Sequence, residues 1–178
     1  MVAGSPGADW SDGVLGTVGL YECPDADADD AGAECCTVPV PLDYRSGAGT
    51  LGIGFEWYAA PGQAAGTVVA VAGGPGGSST KDRDGFLDLF YQLEGWNLLL
   101  VDLRGTGTSG ALHCDRLERF FSSDDEDYVA AVGDCGRELD RTWRRDGDSY
   151  LPGSELFTTA NAARDLDLVL DRLQLVQV

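Results

Sequence analysis

Two short runs of consecutive apolar residues, each followed by a glycine-rich turn, constrain the fold of this chain more than any other feature. The runs are Val68–Ala72 and Leu98–Val101, and unbroken apolar character over so few residues is typical of strands buried on both faces. Between them, apolar residues recur at helical spacing, at Phe86, Leu89, Phe90 and Leu93. Because a helix that crosses between neighbouring strands of one sheet places them parallel, the sequence predicts a βαβ unit within an α/β sheet.

Further apolar patterns extend this unit on both sides. Leu51–Trp57 alternates apolar with small or polar residues, which predicts a half-buried strand, and Thr37–Leu42 is a shorter partner. Helical spacing marks two later segments, at Tyr128, Val132, Cys135, Leu139 and Trp143 and at Leu166, Val169, Leu170 and Leu173. Either Thr158 or Thr159 is placed to cap the second helix, and Leu175–Val178 is expected to begin another strand. We interpret these stripes as core, without a functional role.

The charge balance excludes some partners. The 178 residues carry 30 acids against 12 bases, a formal net charge of −18, so contact with nucleic acid or an anionic membrane is electrostatically costly. Two acidic runs, Asp25–Asp30 and Asp124–Asp127, are typical of solvated loops. A calcium loop beginning at Asp25 needs glycine at its sixth position and glutamate at its twelfth, where this chain has Asp30 and Cys36. We therefore expect no bound metal ion.

Five cysteines are many for a reducing compartment, and none forms a C-x-x-C metal pair. They are Cys23, Cys35, Cys36, Cys114 and Cys135. Disulfide bonds, and therefore export, are the favoured interpretation, with buried free thiols as the alternative. Met1–Trp10 has neither the basic nor the apolar region of a signal peptide, and no run is long and apolar enough to predict a membrane span.

The turn after the first apolar run, Gly73–Ser79, lies where an open α/β sheet binds its ligands. It is not a P-loop, because no Gly-Lys-Ser/Thr triplet follows the glycines. Glycines let backbone N–H groups turn inward and let a substrate approach closely. The turn is therefore a candidate oxyanion loop, with a plain tight turn as the alternative.

The turn after the second run, Gly105–Gly110, matches the G-x-G-x-x-G pattern of dinucleotide sites. In such sites the glycines begin as the strand ends, whereas here Asp102–Arg104 intervenes. The required acid at the tip of the next strand is also missing, because the later acids lie in the Asp124–Asp127 loop. We therefore expect no cofactor.

Together the two turns resemble a known pair of motifs. Ala72–Gly77, a strand-to-helix gap and then Asp102–Ser109 are similar to the paired signature of α/β-hydrolases related to proline iminopeptidases. Glu34–Tyr44 resembles the entry of the secreted tripeptidyl aminopeptidase-like branch, and Phe157–Asp167 resembles the helix before its nucleophile. The resemblance covers nearly the whole chain.

This resemblance implies a three-layer α/β-hydrolase sheet. Residues 37–178 would form its N-terminal portion, truncated before the nucleophile elbow, behind an acidic N-terminal extension at residues 1–36. The resemblance also implies that Gly74 supplies an oxyanion-hole N–H, with Gly73 as the second choice. The family has His where this chain has Ala72, but the oxyanion hole is built from backbone, so the departure need not abolish it.

The catalytic triad is expected beyond Val178. No G-x-S-x-G sequence occurs, and the residues around Ser109 lack the last glycine of that pattern. His113, the only histidine, precedes the elbow strand, so the family's order of Ser, then Asp or Glu, then His excludes it as the general base. Ser78 and Ser79 are expected to cap the following helix.

The related exported enzymes often carry a bridge that corresponds to Cys114 and Cys135. Cys23 with Cys35 would make the second bridge and leave Cys36 unpaired. The sequence alone does not fix this connectivity.

The function implied by the resemblance is that of an exported serine exopeptidase, which releases N-terminal residues or short peptides through an acyl-enzyme. Its substrate would be a peptide or an amino-acid amide or ester, and this chain alone would be inactive. Asp102 and Arg104 would brace the turn after their strand. The alternatives are an esterase or lactonase of the same fold and a non-catalytic binding or assembly module, and no protein partner can be inferred.

Overall fold

The computed structural model describes residues 19–23, 33–74, 76–93, 95–119, 126–144 and 150–175. They form a five-stranded sheet, a separate two-stranded ribbon and four α-helices. The sheet contains β1 (Tyr21–Glu22), β2 (Ala33–Pro41), β3 (Thr50–Tyr58), β4 (Thr67–Ala70) and β5 (Asn97–Val101), and the ribbon contains β6 (Trp143–Arg144) and β7 (Tyr150–Leu151). The helices are α1 (Arg83–Phe90), α2 (Glu126–Leu139), α3 (Gly153–Leu156) and α4 (Thr159–Arg172).

The sheet is mixed, with the strand order β1-β2-β3-β5-β4. β4 and β5 pair in parallel, and every other neighbouring pair in this sheet is antiparallel. Helix α1 connects the two parallel strands, so the predicted βαβ unit is confirmed. The described residues therefore form an α/β protein.

Alternation along the strands divides the core between the two faces of the sheet. One face of β3 carries Phe55 and Trp57, which pack with Val169 and Leu173 at the α4 side. The other face carries Tyr58, which packs with Leu87 of α1. Leu99 and Val101 of β5 pack with the first of these groups, and Leu98 and Leu100 pack with the second. Because both faces are covered, all five residues of β5 are buried, as its unbroken apolar sequence predicted.

The buried face of helix α1 differs from the predicted one. Leu87 is its buried residue at 4% exposure, whereas Leu89 is 64% exposed. Phe86 and Phe90 pack beside Leu87, at the preceding and the i+3 positions. The helix ends at Phe90, and Leu93, which the pattern assigned to the same stripe, follows it with 41% exposure.

The stripe predicted from Tyr128 to Trp143 also spans two elements. Helix α2 ends at Leu139, and Trp143 begins β6, where it pairs with Leu151. Ala131, which the pattern omitted, is fully buried on α2. The small methyl group of alanine allows the helix to approach its neighbours closely.

Helix α4 begins where the sequence indicated. Thr158 is its N-cap, and the hydroxyl Oγ1 accepts a hydrogen bond from the N–H of Asn161 at 3.2 Å. Val169 is fully buried on the sheet side of the helix, while Leu166 and Leu170 are partly buried there.

Two disulfide bonds join Cys23 to Cys35 and Cys114 to Cys135, and Cys36 is a buried thiol outside both bonds. The predicted bridges are confirmed. The first bridge ties Cys23, directly after β1, to Cys35 of β2.

Some sequence-based expectations lie outside the described residues. They concern the acidic run Asp25–Asp30, most of the strand expected at Leu175–Val178 and the first part of the run Asp124–Asp127. Among the described helices, none combines the length and the apolar character that crossing a membrane requires.

Candidate functional site

The two glycine-rich turns lie side by side at one edge of the sheet. One follows β4 and the other follows β5, and parallel neighbours bring their carboxyl ends to the same edge. This is the edge at which the sequence analysis expects a ligand to bind.

The carboxylate of Asp102 links the two turns. It is fully buried, and its Oδ1 accepts hydrogen bonds from the Ser78 hydroxyl at 3.0 Å and the Thr80 N–H at 3.1 Å. Oδ2 accepts bonds from the Thr80 hydroxyl at 2.8 Å, the Thr108 N–H at 2.8 Å and the Thr108 hydroxyl at 3.0 Å. Five donors from both turns therefore converge on one side chain, which fits its expected bracing role.

These donors stabilise the charged form of Asp102. Burial raises the pKa of the carboxyl, but hydrogen bonds from Thr108 and Thr80 outweigh that effect and hold the pKa below its usual value. Among the described residues, no Lys, Arg or His forms an ion pair with this carboxylate. Its charge is stabilised by hydrogen bonds from neutral groups.

Gly107 allows the second turn to close over this carboxylate. Its φ is +43°, and a Cβ there would overlap Asp102 Oδ2 and the Ser78 hydroxyl. Gly54 on β3 has a similar role, since a Cβ there would overlap the Thr108 side chain. The hydroxyl of Ser109 then bonds the turn to the sheet, accepting from Gly54 N–H at 2.8 Å and donating to the Asp102 carbonyl at 2.7 Å.

The first turn exposes the two residues that were singled out as oxyanion donors. Gly73 and Gly74 are both exposed, and a Cβ on either would meet no heavy atom within 4 Å. Gly74 has φ of +69° and accepts a hydrogen bond from Gly77 N–H at 3.0 Å, which closes the turn. Within the described part of the chain, the N–H groups of Gly73 and Gly74 bond to no other residue. Backbone N–H groups without an intramolecular acceptor are the kind of donor that an oxyanion hole uses.

The serines near these turns are structural. Ser79 donates to the Val101 carbonyl at 2.7 Å and accepts from Ala72 N–H at 2.8 Å, which holds the start of the turn against β5. The expectation that Ser78 and Ser79 cap the following helix is wrong, because α1 begins at Arg83 and its N-cap position is Asp82. Ser78 instead accepts from Lys81 N–H at 3.2 Å, one turn before the helix.

Arg104 anchors the second turn to α4 and to the end of β2. Its Nε and Nη2 donate to the two oxygens of Asp165 at 2.6 and 2.7 Å. Its remaining N–H groups bond to the carbonyls of Leu42, Leu156 and Pro41. All five guanidinium donors are thus paired in a buried setting, as expected of a bracing residue.

Tyr44 completes this anchor. Its hydroxyl donates to Asp165 at 2.8 Å, and Arg104 and Arg164 lie over its ring at 5.4 and 5.5 Å from the centroid. Burial and the Asp165 carboxylate raise the pKa of Tyr44 well above its usual value. Asp165 and Tyr44 were not identified as partners from the sequence, because they lie 61 and 60 positions from Arg104 along the chain.

His113 is not among the residues that bond to the Asp102 carboxylate. It is exposed, and its Nδ1 lies 3.1 Å from Glu118 Oε1. That pairing is compatible with the expected surface role.

Thr80 and Thr108 are the site residues that the sequence analysis overlooked. Each follows a glycine-rich turn or lies within one, and each gives both its N–H and its hydroxyl to Asp102. Hydroxyl residues next to both glycine clusters were the available signal.

The geometry defines an α/β protein with two glycine-rich turns that share one buried carboxylate. No protein-family model matches the chain, and no curated protein matches it either.

Proposed function

We propose that this chain is the N-terminal part of an exported serine hydrolase with a three-layer α/β-hydrolase fold. It would act as an exopeptidase through an acyl-enzyme, with the triad supplied beyond Val178 and with Gly74 as an oxyanion-hole donor. The observation that carries this proposal is the exposed first glycine turn, which leads into Ser78 and Thr80, two residues that hydrogen-bond to the buried Asp102.

The chemistry of acyl transfer explains why such a turn is useful. A tetrahedral intermediate carries negative charge on its oxygen, and N–H groups already in place stabilise that charge without reorganisation. The serines of the described turns are committed to structural hydrogen bonds, so the nucleophile is assigned to another segment. Helices on both faces of the sheet support the proposed three-layer architecture, and two disulfide bonds support export.

A fluorophosphonate probe for activated serines tests the proposal. We expect no labelling of the 178-residue chain and labelling at one serine in a version that continues through a G-x-S-x-G elbow. Stoichiometric labelling of the short chain at Ser78, Ser79 or Ser109 would overturn the assignment. A continuation without that elbow would instead favour a binding or assembly module.

Paired substrates then distinguish the reaction classes. An aminoacyl or tripeptidyl anilide with a free N-terminus reports exopeptidase activity, and the same peptide with an acetylated N-terminus is its control. We expect faster hydrolysis of the free peptide. Turnover of simple esters or lactones alone would favour the esterase alternative.

A further inference from the structure

A cavity of about 310 Å³ is lined by residues of β1, β2, β3, the start of α1 and the second glycine-rich turn. Tyr21 and the Cys23–Cys35 disulfide form one side, and Glu56 lines it from β3. Lys81 and the Gly107–Thr108 segment lie among its other lining residues. Small-molecule sites in proteins usually begin at about 300 Å³, so the cavity can accept a compact organic ligand.

The acid in this cavity is already neutralised. Glu56 is 2% exposed, and its Oε1 accepts from Arg83 Nη2 at 2.5 Å. Its Oε2 accepts from Arg83 Nε at 3.2 Å and from the Tyr58 hydroxyl at 2.9 Å. A ligand amine would have to compete with these donors, which argues against a cationic ligand.

The remaining charge on the lining is positive. Lys81 is the only lysine in a chain of net charge −18, and it forms no salt bridge with any residue of the described ranges. Its exposed side chain therefore carries a cation that no acidic residue of the described ranges neutralises. Because Glu56 and Arg83 cancel, the described lining has a net charge of about +1.

Tyr21 supplies apolar surface to the cavity. Tyr21 is 51% exposed, so its ring is available to pack against a ligand, next to the sulfur atoms of the disulfide. We propose that this cavity binds a small organic acid, whose carboxylate contacts Lys81 and whose apolar body packs against Tyr21. Gly73 and Gly74 do not line the cavity, although Thr80 and Thr108 of the candidate site do, so this inference does not rest on the oxyanion assignment.

Three ligands of one shape test the charge requirement. Phenylacetate, neutral phenylacetamide and cationic phenethylamine are titrated into the protein while backbone amide shifts are followed by NMR. We expect roughly millimolar binding of phenylacetate, with the shifts centred on Thr37, Gly107 and Thr108. Equal binding of phenylacetamide, or shifts that avoid these residues, would overturn the proposal.

Substitution of the cation provides the second test. Lys81→Gln should weaken phenylacetate binding by about fivefold, as expected for one exposed ion pair, and Lys81→Arg should retain most of it. Arg141→Gln, an exposed cation that does not line this cavity, should change nothing. Unchanged affinity in Lys81→Gln would contradict the assignment.

The carboxylate could belong to a free acid or to the C-terminus of a peptide. N-acetylphenylalanine and its C-terminal amide distinguish these sources. Tighter binding of N-acetylphenylalanine than of phenylacetate identifies a peptide terminus, and the reverse order identifies a free acid. If neither carboxylate binds more tightly than its amide, the proposal fails.

Discussion

At the scale of single residues, Asp102 determines how the two glycine turns fit together. Asp102→Asn keeps the shape of the side chain but replaces one acceptor oxygen by an NH₂ group. This group cannot accept the hydrogen bonds that the surrounding N–H and hydroxyl groups donate. We expect the free energy of unfolding to fall by about 3 kcal/mol at pH 7, because buried hydrogen bonds to a charged group are lost. Urea denaturation measures this change.

The same substitution should change the pH dependence of stability. The folded pKa of Asp102 lies below the unfolded value, so its contribution is present above an unfolded pKa of about 3.9 and is lost as the pH falls through the folded pKa. From pH 5 downwards, the wild type should therefore lose stability more steeply than Asp102→Asn. Parallel curves would show that folding does not lower the pKa of Asp102.

At the scale of elements, the approach of the second turn to β3 depends on Gly54. Gly54→Ala would overlap the Thr108 side chain, which is fixed by its bonds to Asp102. We expect a loss of about 2–3 kcal/mol, as for other overpacked sites. Thermal and urea unfolding both measure it.

Gly85→Ala is the matched control for that variant. Gly85 lies within α1, and its Cβ would meet no atom within 4 Å. Alanine is favoured over glycine inside a helix, so this variant should be more stable by about 0.5–1 kcal/mol. If Gly54→Ala lowers the free energy of unfolding and Gly85→Ala raises it, the effect of the close contact is separated from that of helix propensity. Equal losses of stability in the two variants would contradict the contact between Gly54 and Thr108.

The sequence predicted best those elements whose pattern is contained in a few consecutive residues. The βαβ unit followed from two apolar runs. Burial on both faces explains the run in β5, whereas β4 lies at the sheet edge and is mostly half-buried, with Val71 beyond it 40% exposed. Leu89 was assigned to the core and Leu87 was missed, because an eight-residue helix carries too few turns to define its buried face from periodicity.

The partners of the buried polar groups could not be predicted in this way. Asp102 bonds to Ser78 and Thr80, which are 24 and 22 positions away, and Arg104 pairs with Asp165 at a separation of 61. Such pairs depend on the tertiary fold. The glycines were visible as turn residues, but the sequence did not reveal that Gly107 and Gly54 are required by contacts with side chains.

At the scale of the whole molecule, the oxidised protein should contain one thiol. Cys36 is 3% exposed, and burial raises the pKa of its thiol, so a chromogenic thiol reagent should react with almost none of the folded protein. After unfolding in denaturant without reductant, it should detect one thiol per chain. Four or more thiols in the oxidised protein would rule out both disulfide bonds.

Removing the second disulfide by substitution tests how much it contributes to stability. The Cys114–Cys135 bridge has a sequence separation of 21, and removal of such a loop constraint should cost about 3 kcal/mol. Cys114→Ser with Cys135→Ser measures this without disturbing the other bridge. A double variant as stable as the wild type would show that the bond does not contribute to folding.

The most direct test of the account compares two glycines of the same turn in the version extended through the expected elbow. Gly74 and Gly76 both have positive φ, of +69° and +97°, and a Cβ on either would meet no heavy atom within 4 Å. Substitution by valine therefore imposes a similar backbone strain at both positions, while only Gly74 is the proposed oxyanion donor. We expect Gly74→Val to slow fluorophosphonate labelling of the elbow serine by about 100-fold, and Gly76→Val to slow it far less. Equal labelling rates for the two variants would contradict the assignment of this turn as the oxyanion loop.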